Sequence, residues 1–285
     1  MNESLWTLNQ GARTDEQHNG TTESRAEFLG RAGLLALAAL GITPSGCVAL
    51  RPPGAASHVT PSKKARGASR VKRWDVVTIG NLSRNRYWGE SEARAVRSAI
   101  CTCTVVSGPG FHLLVDPSIE NGERMAAELD RRTGLKPRDI DTVFITHDHG
   151  DHHYGLKHFP DAKWLAAAEV AAILNTSRRY SRNVEPVEGR ILDAVDVIPT
   201  PGHTPSHHSL RFDCDGLSVV VAGDAVATRD FWGDRRSYFN AVDPRLASQT
   251  MDKIAAMADV VVPGHDNYFL VLPLSPLEAS QPVSV

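Results

Sequence analysis

The amino-acid sequence predicts a layered α/β fold, and three observations predict it. Short apolar, β-rich segments recur through the last three-quarters of the chain, most of them bounded by Gly, Pro, Asp or Asn. Stretches with helical spacing of apolar residues fall between some of them. The 285 residues are 41% hydrophobic and 22% charged, the composition of a globular body large enough to fold around its own core.

The strand candidates run in order Val76–Ile79, Ala99–Val106, His112–Val115, Thr142–Thr146, Val195–Pro199, Ser206–Phe212, Leu217–Ala222 and Val260–Val262. The helix candidates are Glu123–Arg132, Ala167–Leu174 and Pro244–Met257. In the first of these, Met125, Ala126 and Leu129 share a face. Strands interspersed with helices in this way build layered architectures.

Composition excludes several classes. Four cysteines in this length do not make a disulfide scaffold. No run of 18 apolar residues exists, which excludes a multi-pass membrane protein. A net charge of −2 argues against nucleic acid as the partner; the expected partner is a small-molecule substrate. The charge is divided: residues 1–73 carry 10 Lys plus Arg against 5 Asp plus Glu, whereas residues 74–285 carry 21 against 28. A basic leader therefore precedes an acidic body.

The leader reads as a targeting segment over residues 1–50. Ser24-Arg25-Ala26-Glu27-Phe28-Leu29 followed by the apolar stretch from Ala32 to Ile42 resembles a twin-arginine export signal, with Ala26 where the second arginine belongs. Pro44-Ser45-Gly46-Cys47 resembles a lipobox, which makes Cys47 a candidate for lipid anchoring to a membrane. The expected location is the periplasm or cell envelope, with a cytoplasmic protein as the alternative. Residues 51–73, rich in Pro, Gly, Ser and basic residues, read as a flexible tether, and residues 74–285 as the catalytic domain.

The chemistry concentrates at strand ends. The buried-strand pattern Asp141–Thr146 runs into His147-Asp148-His149-Gly150-Asp151-His152-His153. In an extended segment residues two apart point the same way, so His147 and His149 can chelate one ion. Gly150 allows a bend that turns Asp151 and His152 toward a second point. So dense a run of imidazole and carboxylate is costly in a core unless a cation organises it, and the ligand types suit zinc, iron or manganese. Three further strands end alike: Val195–Thr200 in Pro201-Gly202-His203-Thr204, Leu217–Ala222 in Gly223-Asp224, and Val260–Val262 in Pro263-Gly264-His265-Asp266.

The succession HxHxDH, TPGHT, GD and PGH over roughly residues 76–270 resembles the metallo-β-lactamase superfamily. The resemblance implies a four-layer αβ/βα sandwich and two Zn2+ per chain, with Fe or Mn as alternatives. It implies that His147, His149 and His203 hold one ion, that Asp151, His152 and His265 hold the other, and that Asp224 bridges them. It further implies a hydrolase in which a metal-bridging hydroxide attacks an ester-type carbonyl (a lactone, a thioester or a similar group). Asp151 or Asp224 then passes the proton to the leaving group. The alternatives are a persulfide dioxygenase-like oxidoreductase with one iron on His147, His203 and Asp224, and a phosphodiesterase, which the acidic body disfavours.

Departures narrow the resemblance. Zinc β-lactamases usually lack an aspartate where Asp224 stands, and flavodiiron members have glutamate where His149 stands. Glyoxalase II enzymes carry a C-terminal helical domain for which the 20 residues after His265 leave no room. What remains resembles the compact lactonase-like members and small uncharacterised hydrolases of the superfamily. Such enzymes place a substrate-contacting tyrosine after the bridging aspartate, which makes Tyr238 the candidate substrate contact, with packing in a surface loop as the alternative. Tyr87 and Trp88 are expected on an early loop, lining a pocket or packed in the core. Asp116 is expected to make a supporting or turn hydrogen bond. His153, His207 and His208 are expected to face away from the ions, and Cys101 and Cys103 to be small apolar filler.

Overall fold

In the computed structural model, residues 69–271 are described. The export-signal and lipid-anchor readings, Cys47 and most of the tether fall outside them. Two six-stranded sheets lie face to face. The first is ordered β1 (Arg73–Thr78), β2 (Cys103–Gly108), β3 (Phe111–Val115), β4 (Thr142–Ile145), β5 (Lys163–Ala166) and β6 (Glu185–Pro186). The second runs from β7 (Arg190–Ile191) through β8 (Val195–Pro199), β9 (His208–Cys214), β10 (Leu217–Gly223) and β11 (Val260–Pro263) to β12 (Phe269–Leu270).

Alternation along the strands makes the layers. Phe144 and Val115 meet Leu210, Val219 and Val262 between the sheets. Val143 and Ile145, pointing the other way, pack on Met125 and Leu129 of α1 (Gly122–Thr133) and Val170 and Leu174 of α2 (Ala168–Thr176). On the outer face of the second sheet, Val220 and Val261 pack on Met251 and Ile254 of α4 (Pro244–Met257). A short α3 (Arg229–Gly233) precedes that helix. Helix, sheet, sheet and helix are the four layers expected. Central strands buried on both faces read as unbroken apolar runs, which is why the sequence displays them.

Helix ends follow local chemistry. The Asn121 side chain accepts from Arg124 N, and Gly134 closes α1 at φ +77°. Asp243 caps α4 by accepting from Leu246 N, with Pro244 in its first turn.

The tether expected through residue 73 gives way to the body sooner. Val71 is 2% exposed within the inter-sheet core, and Lys72 N donates to Ser107 O. One apolar side chain among basic neighbours left no periodic signal there. Among the described residues no helix is long and apolar enough to cross a membrane.

Strand direction positions the site. β3, β4, β5 and β6 are mutually parallel. β10 is parallel to β11, and β9 runs antiparallel to both β8 and β10. The C-terminal ends of β8, β10 and β11 therefore share one edge of their sheet.

Candidate metal centre

Four strand ends deliver the chemistry. β4 leads through Thr146 into His147, His149 and a 3-10 turn over Gly150–His152. β8 leads to His203, β10 to Asp224 and β11 to His265. His147, His149, His203 and Asp224 form one group whose ligand atoms lie within 4.8 Å of one another, and Asp151, His152 and His265 form a second.

Asp224 stands between the groups. Its Oδ2 lies 3.2 Å from His203 Nε2 and 3.9 Å from His147 Nε2. Its Oδ1 lies 3.2 Å from His152 Nε2 and 3.1 Å from His265 Nε2. Asp151 Oδ2 is 3.6 Å from His265 Nε2, and His149 Nδ1 is 2.9 Å from His203 Nε2. The structure thus brings all seven predicted side chains together.

Their outer hydrogen bonds fix the ring tautomers. The Thr146 hydroxyl donates to Asp116 Oδ2 at 2.7 Å, so it can only accept from His147 Nδ1–H at 3.1 Å. His152 Nδ1–H donates to the same Asp116 oxygen at 2.8 Å. His265 Nδ1–H is shared by the carbonyls of Ile100, at 3.0 Å, and Asn81, at 3.1 Å. Each of the three rings therefore turns Nε2 toward Asp224, the nitrogen that presents a lone pair when the ring is neutral. His147 Nε2, His152 Nε2 and Asp224 Oδ1 are buried and have no hydrogen-bond partner among the described residues. A buried carboxylate ringed by imidazole nitrogens, several of them without hydrogen-bond partners, is costly unless positive charge sits on each side of Asp224, which a cation at each group would supply. The donor set fits metal.

Electrostatics divide the imidazoles into two kinds. Burial holds His147 well below the usual imidazole range and lowers His203 to about 4, so both rings are neutral at pH 7. For Asp224, burial works toward protonation, but His265, His152 and His203 outweigh it and hold the carboxyl well below its usual range. Burial works toward neutral rings at His152 and His265 too, but Cys101, Asp224 and Asp116 outweigh it at His152, and Asp224 and Asp151 at His265, so both are raised and hold protons against the carboxylates. Neutral imidazole with ionised carboxylate is the form an ion requires, and an ion binding there would displace those protons.

Other predicted residues are placed as follows. Asp116 makes the supporting bonds expected, and more: besides the two bonds above, its Oδ1 accepts from Thr146 N at 2.8 Å. His153 lies within hydrogen-bonding distance of Tyr180 Oη and the Asp148 carbonyl, and His207 of Thr200 Oγ1. Tyr238 stands outside the cluster: its hydroxyl donates to Arg84 O at 2.9 Å and its ring packs on Phe231. The tyrosine ties two loops together. Tyr87 does likewise, donating to Asp234 Oδ2 at 2.6 Å, while Trp88 is 60% exposed.

Cys101 corrects its reading as filler without a partner. It is fully buried, its thiol donates to Asp116 O at 3.4 Å, and with Asp116 and His152 it forms a third group of ligand-type atoms. Sequence spacing gave no sign of this, because residues 101, 116 and 152 meet only once β3 and β4 pair. The carbonyls that orient His265 were equally invisible, since any residue supplies a carbonyl.

Comparison with known proteins follows the same lines. Residues 97–265, more than half of the chain, match the family model of the metallo-beta-lactamase superfamily. The chain is 30% identical over 170 residues to metallo-beta-lactamase domain-containing protein 1 of Xenopus laevis, covering 59% of this chain and 72% of that protein. With the Homo sapiens protein of the same name it is 34% identical over 52% of this chain and 54% of the other, so it spans about half of that relative's length. With an N-acyl homoserine lactonase of Bacillus cereus it is 26% identical, over 53% of this chain and 65% of the lactonase. In fold it resembles a Thermotoga maritima protein solved as a candidate metallo-beta-lactamase (TM-score 0.54, 18% identity, 70% of this chain and 99% of that one).

Proposed function

The chain belongs to the metallo-beta-lactamase superfamily, and from that premise we propose that it is a two-metal hydrolase of ester-type carbonyls, lactones or thioesters among them. One observation carries the reading: two separate ligand groups face the two oxygens of a single buried carboxylate, Asp224. His147, His149 and His203 would hold one ion, Asp151, His152 and His265 the other, with Asp224 shared. A single-iron site on His147, His203 and Asp224 would leave the second group without a purpose. The likeness to a lactonase adds support for a carbonyl substrate.

Bound zinc supplies Lewis acidity and lowers the pKa of a coordinated water to about 7. The protein's own residues do the rest. Asp116 and Thr146 hold the Nδ1 protons of His152 and His147, so both rings present Nε2 inward. His149 and Asp151 are the two ligand candidates that are not fully buried, and they mark where substrate arrives. The Asp151 side chain is 17% exposed against 5% for Asp224, so proton passage to a leaving group falls to the Asp151 carboxylate.

The test is Asp224→Ala on metal-quantified protein. The expected result is fewer than two ions per chain and a fall in lactone or thioester turnover of about 100-fold or more. Undiminished metal content and turnover would sink the proposal, as would one iron per chain in the native protein.

A further inference from the structure

Tyr154 follows the ligand turn and folds back over it. The 3-10 turn Gly150–His152 and the bond from His153 N to Gly150 O, 3.0 Å long, bring residue 154 round to residue 150. Gly155 N donates to Pro117 O at 2.8 Å and pins the chain there. A side chain begun at Gly150 would place its Cβ 2.4 Å from Tyr154 Cε1 and 2.5 Å from both Cζ and Oη. The polar end of the phenol therefore fills the place that a side chain at residue 150 would take. Arg179 holds the ring in turn, its guanidinium carbon 4.9 Å from the ring centre. Tyr180, the next residue, fastens that arginine's segment to the same turn by donating to His153 O at 2.6 Å.

Gly150 is the link between the two ligand groups. On one side of it His149 belongs with His203, its Nδ1 2.9 Å from His203 Nε2; on the other Asp151 belongs with His265, its Oδ2 3.6 Å from His265 Nε2. These are the two partly exposed ligand candidates, so the phenol lies against the link where the centre meets solvent. Its hydroxyl is unspent. Tyr87, Tyr180 and Tyr238 each donate to a protein oxygen, whereas Tyr154 Oη makes no hydrogen bond among the described residues. A phenol fixed by its ring, with a free O–H beside both ligand groups, is a preorganised donor for an oxygen that gains negative charge.

We infer that Tyr154 donates a hydrogen bond through Oη to the substrate oxygen on which charge develops, keeping its own proton. The inference rests on the hydrolytic reading of the centre. Tyr154→Phe, in the metal-quantified full chain, tests it, because phenylalanine keeps the ring against Gly150 and Arg179 and removes the hydroxyl alone. The variant is expected to hold as many ions as the parent and to unfold at the same temperature. By calorimetry it should bind phenylphosphonate, whose tetrahedral oxygens carry charge as those of an attacked carbonyl do, about tenfold more weakly. With a 4-nitrophenyl ester its kcat should fall about 100-fold at unchanged KM, the mark of a bond made only in the transition state. Phosphonate affinity or kcat equal to the parent's overturns the inference, as does a parent that does not bind the phosphonate. A parent that turns over no ester, yet loses phosphonate affinity with the hydroxyl, would remove the hydrolytic reading and leave the contact; equal ester turnover in the two proteins would do the reverse.

Discussion

Asp116 bears more of the site than its place in the sequence suggests. It is 1% exposed and sits at φ +52°, a left-handed conformation that aspartate tolerates better than most residues. There its carboxylate takes Thr146 N, Thr146 Oγ1 and His152 Nδ1 together, and so reaches both ligand groups at once. Asp116→Ala should cost about 3 kcal/mol in denaturant unfolding, because it strands buried donors, and about 10- to 100-fold in metal affinity by chelator competition. Unchanged metal affinity with lowered stability would make Asp116 a purely structural residue. The aspartate was visible in the sequence as a strand terminus, but its three partners come from residues 146 and 152, so the size of its role waited on the pairing of β3 with β4. Cys101 was illegible for the same reason.

At the level of elements, the loops work because a glycine follows or precedes each ligand-bearing strand end. A side chain begun at Gly264 would place its Cβ 2.0 Å from Asp224 Oδ1, and one at Gly202, where φ is +133°, would meet Ala247 N of α4 at 2.3 Å. Gly264→Ala should therefore displace the Asp224 carboxylate, lowering metal occupancy and costing about 1–3 kcal/mol from local overpacking. Elemental analysis beside a far-ultraviolet spectrum separates this from global unfolding; full occupancy in the variant would show that Asp224 has room to yield. The long apolar strands and the three longer helices were legible because burial on both faces leaves unbroken hydrophobic runs. β5 was not, since Lys163-Trp164-Leu165-Ala166 is four residues long and begins exposed. The two-residue strands β6, β7 and β12 carry no periodicity to read.

Across the whole molecule, the ligand order along the chain was legible because each ligand adjoins a strand end, and a layered fold gathers such ends at one edge. Tertiary burial was not, and it favours the protonated form of several tyrosines and cysteines. Burial raises Tyr180 to about 12, and burial together with the bond to Asp234 raises Tyr87 to about 12. Burial likewise pushes the Cys101 thiol up to about 12 and Cys103 well above its usual range. All four are neutral when protonated, so folding favours the protonated form. Their contribution is complete below the unfolded values, about 8.5 for cysteine and about 10 for tyrosine. Above those values the unfolded chain has fewer protons than the folded one, so stability falls with rising pH and the contribution is gone once pH passes about 12. Absorbance at 295 nm should show Tyr87 and Tyr180 ionising late, above about pH 11, or in a step that coincides with loss of circular dichroism. Tyr87→Phe and Tyr180→Phe should each remove one late ionisation. If neither phenylalanine variant removed a late ionisation while the fold stayed intact, burial would not be holding these protons.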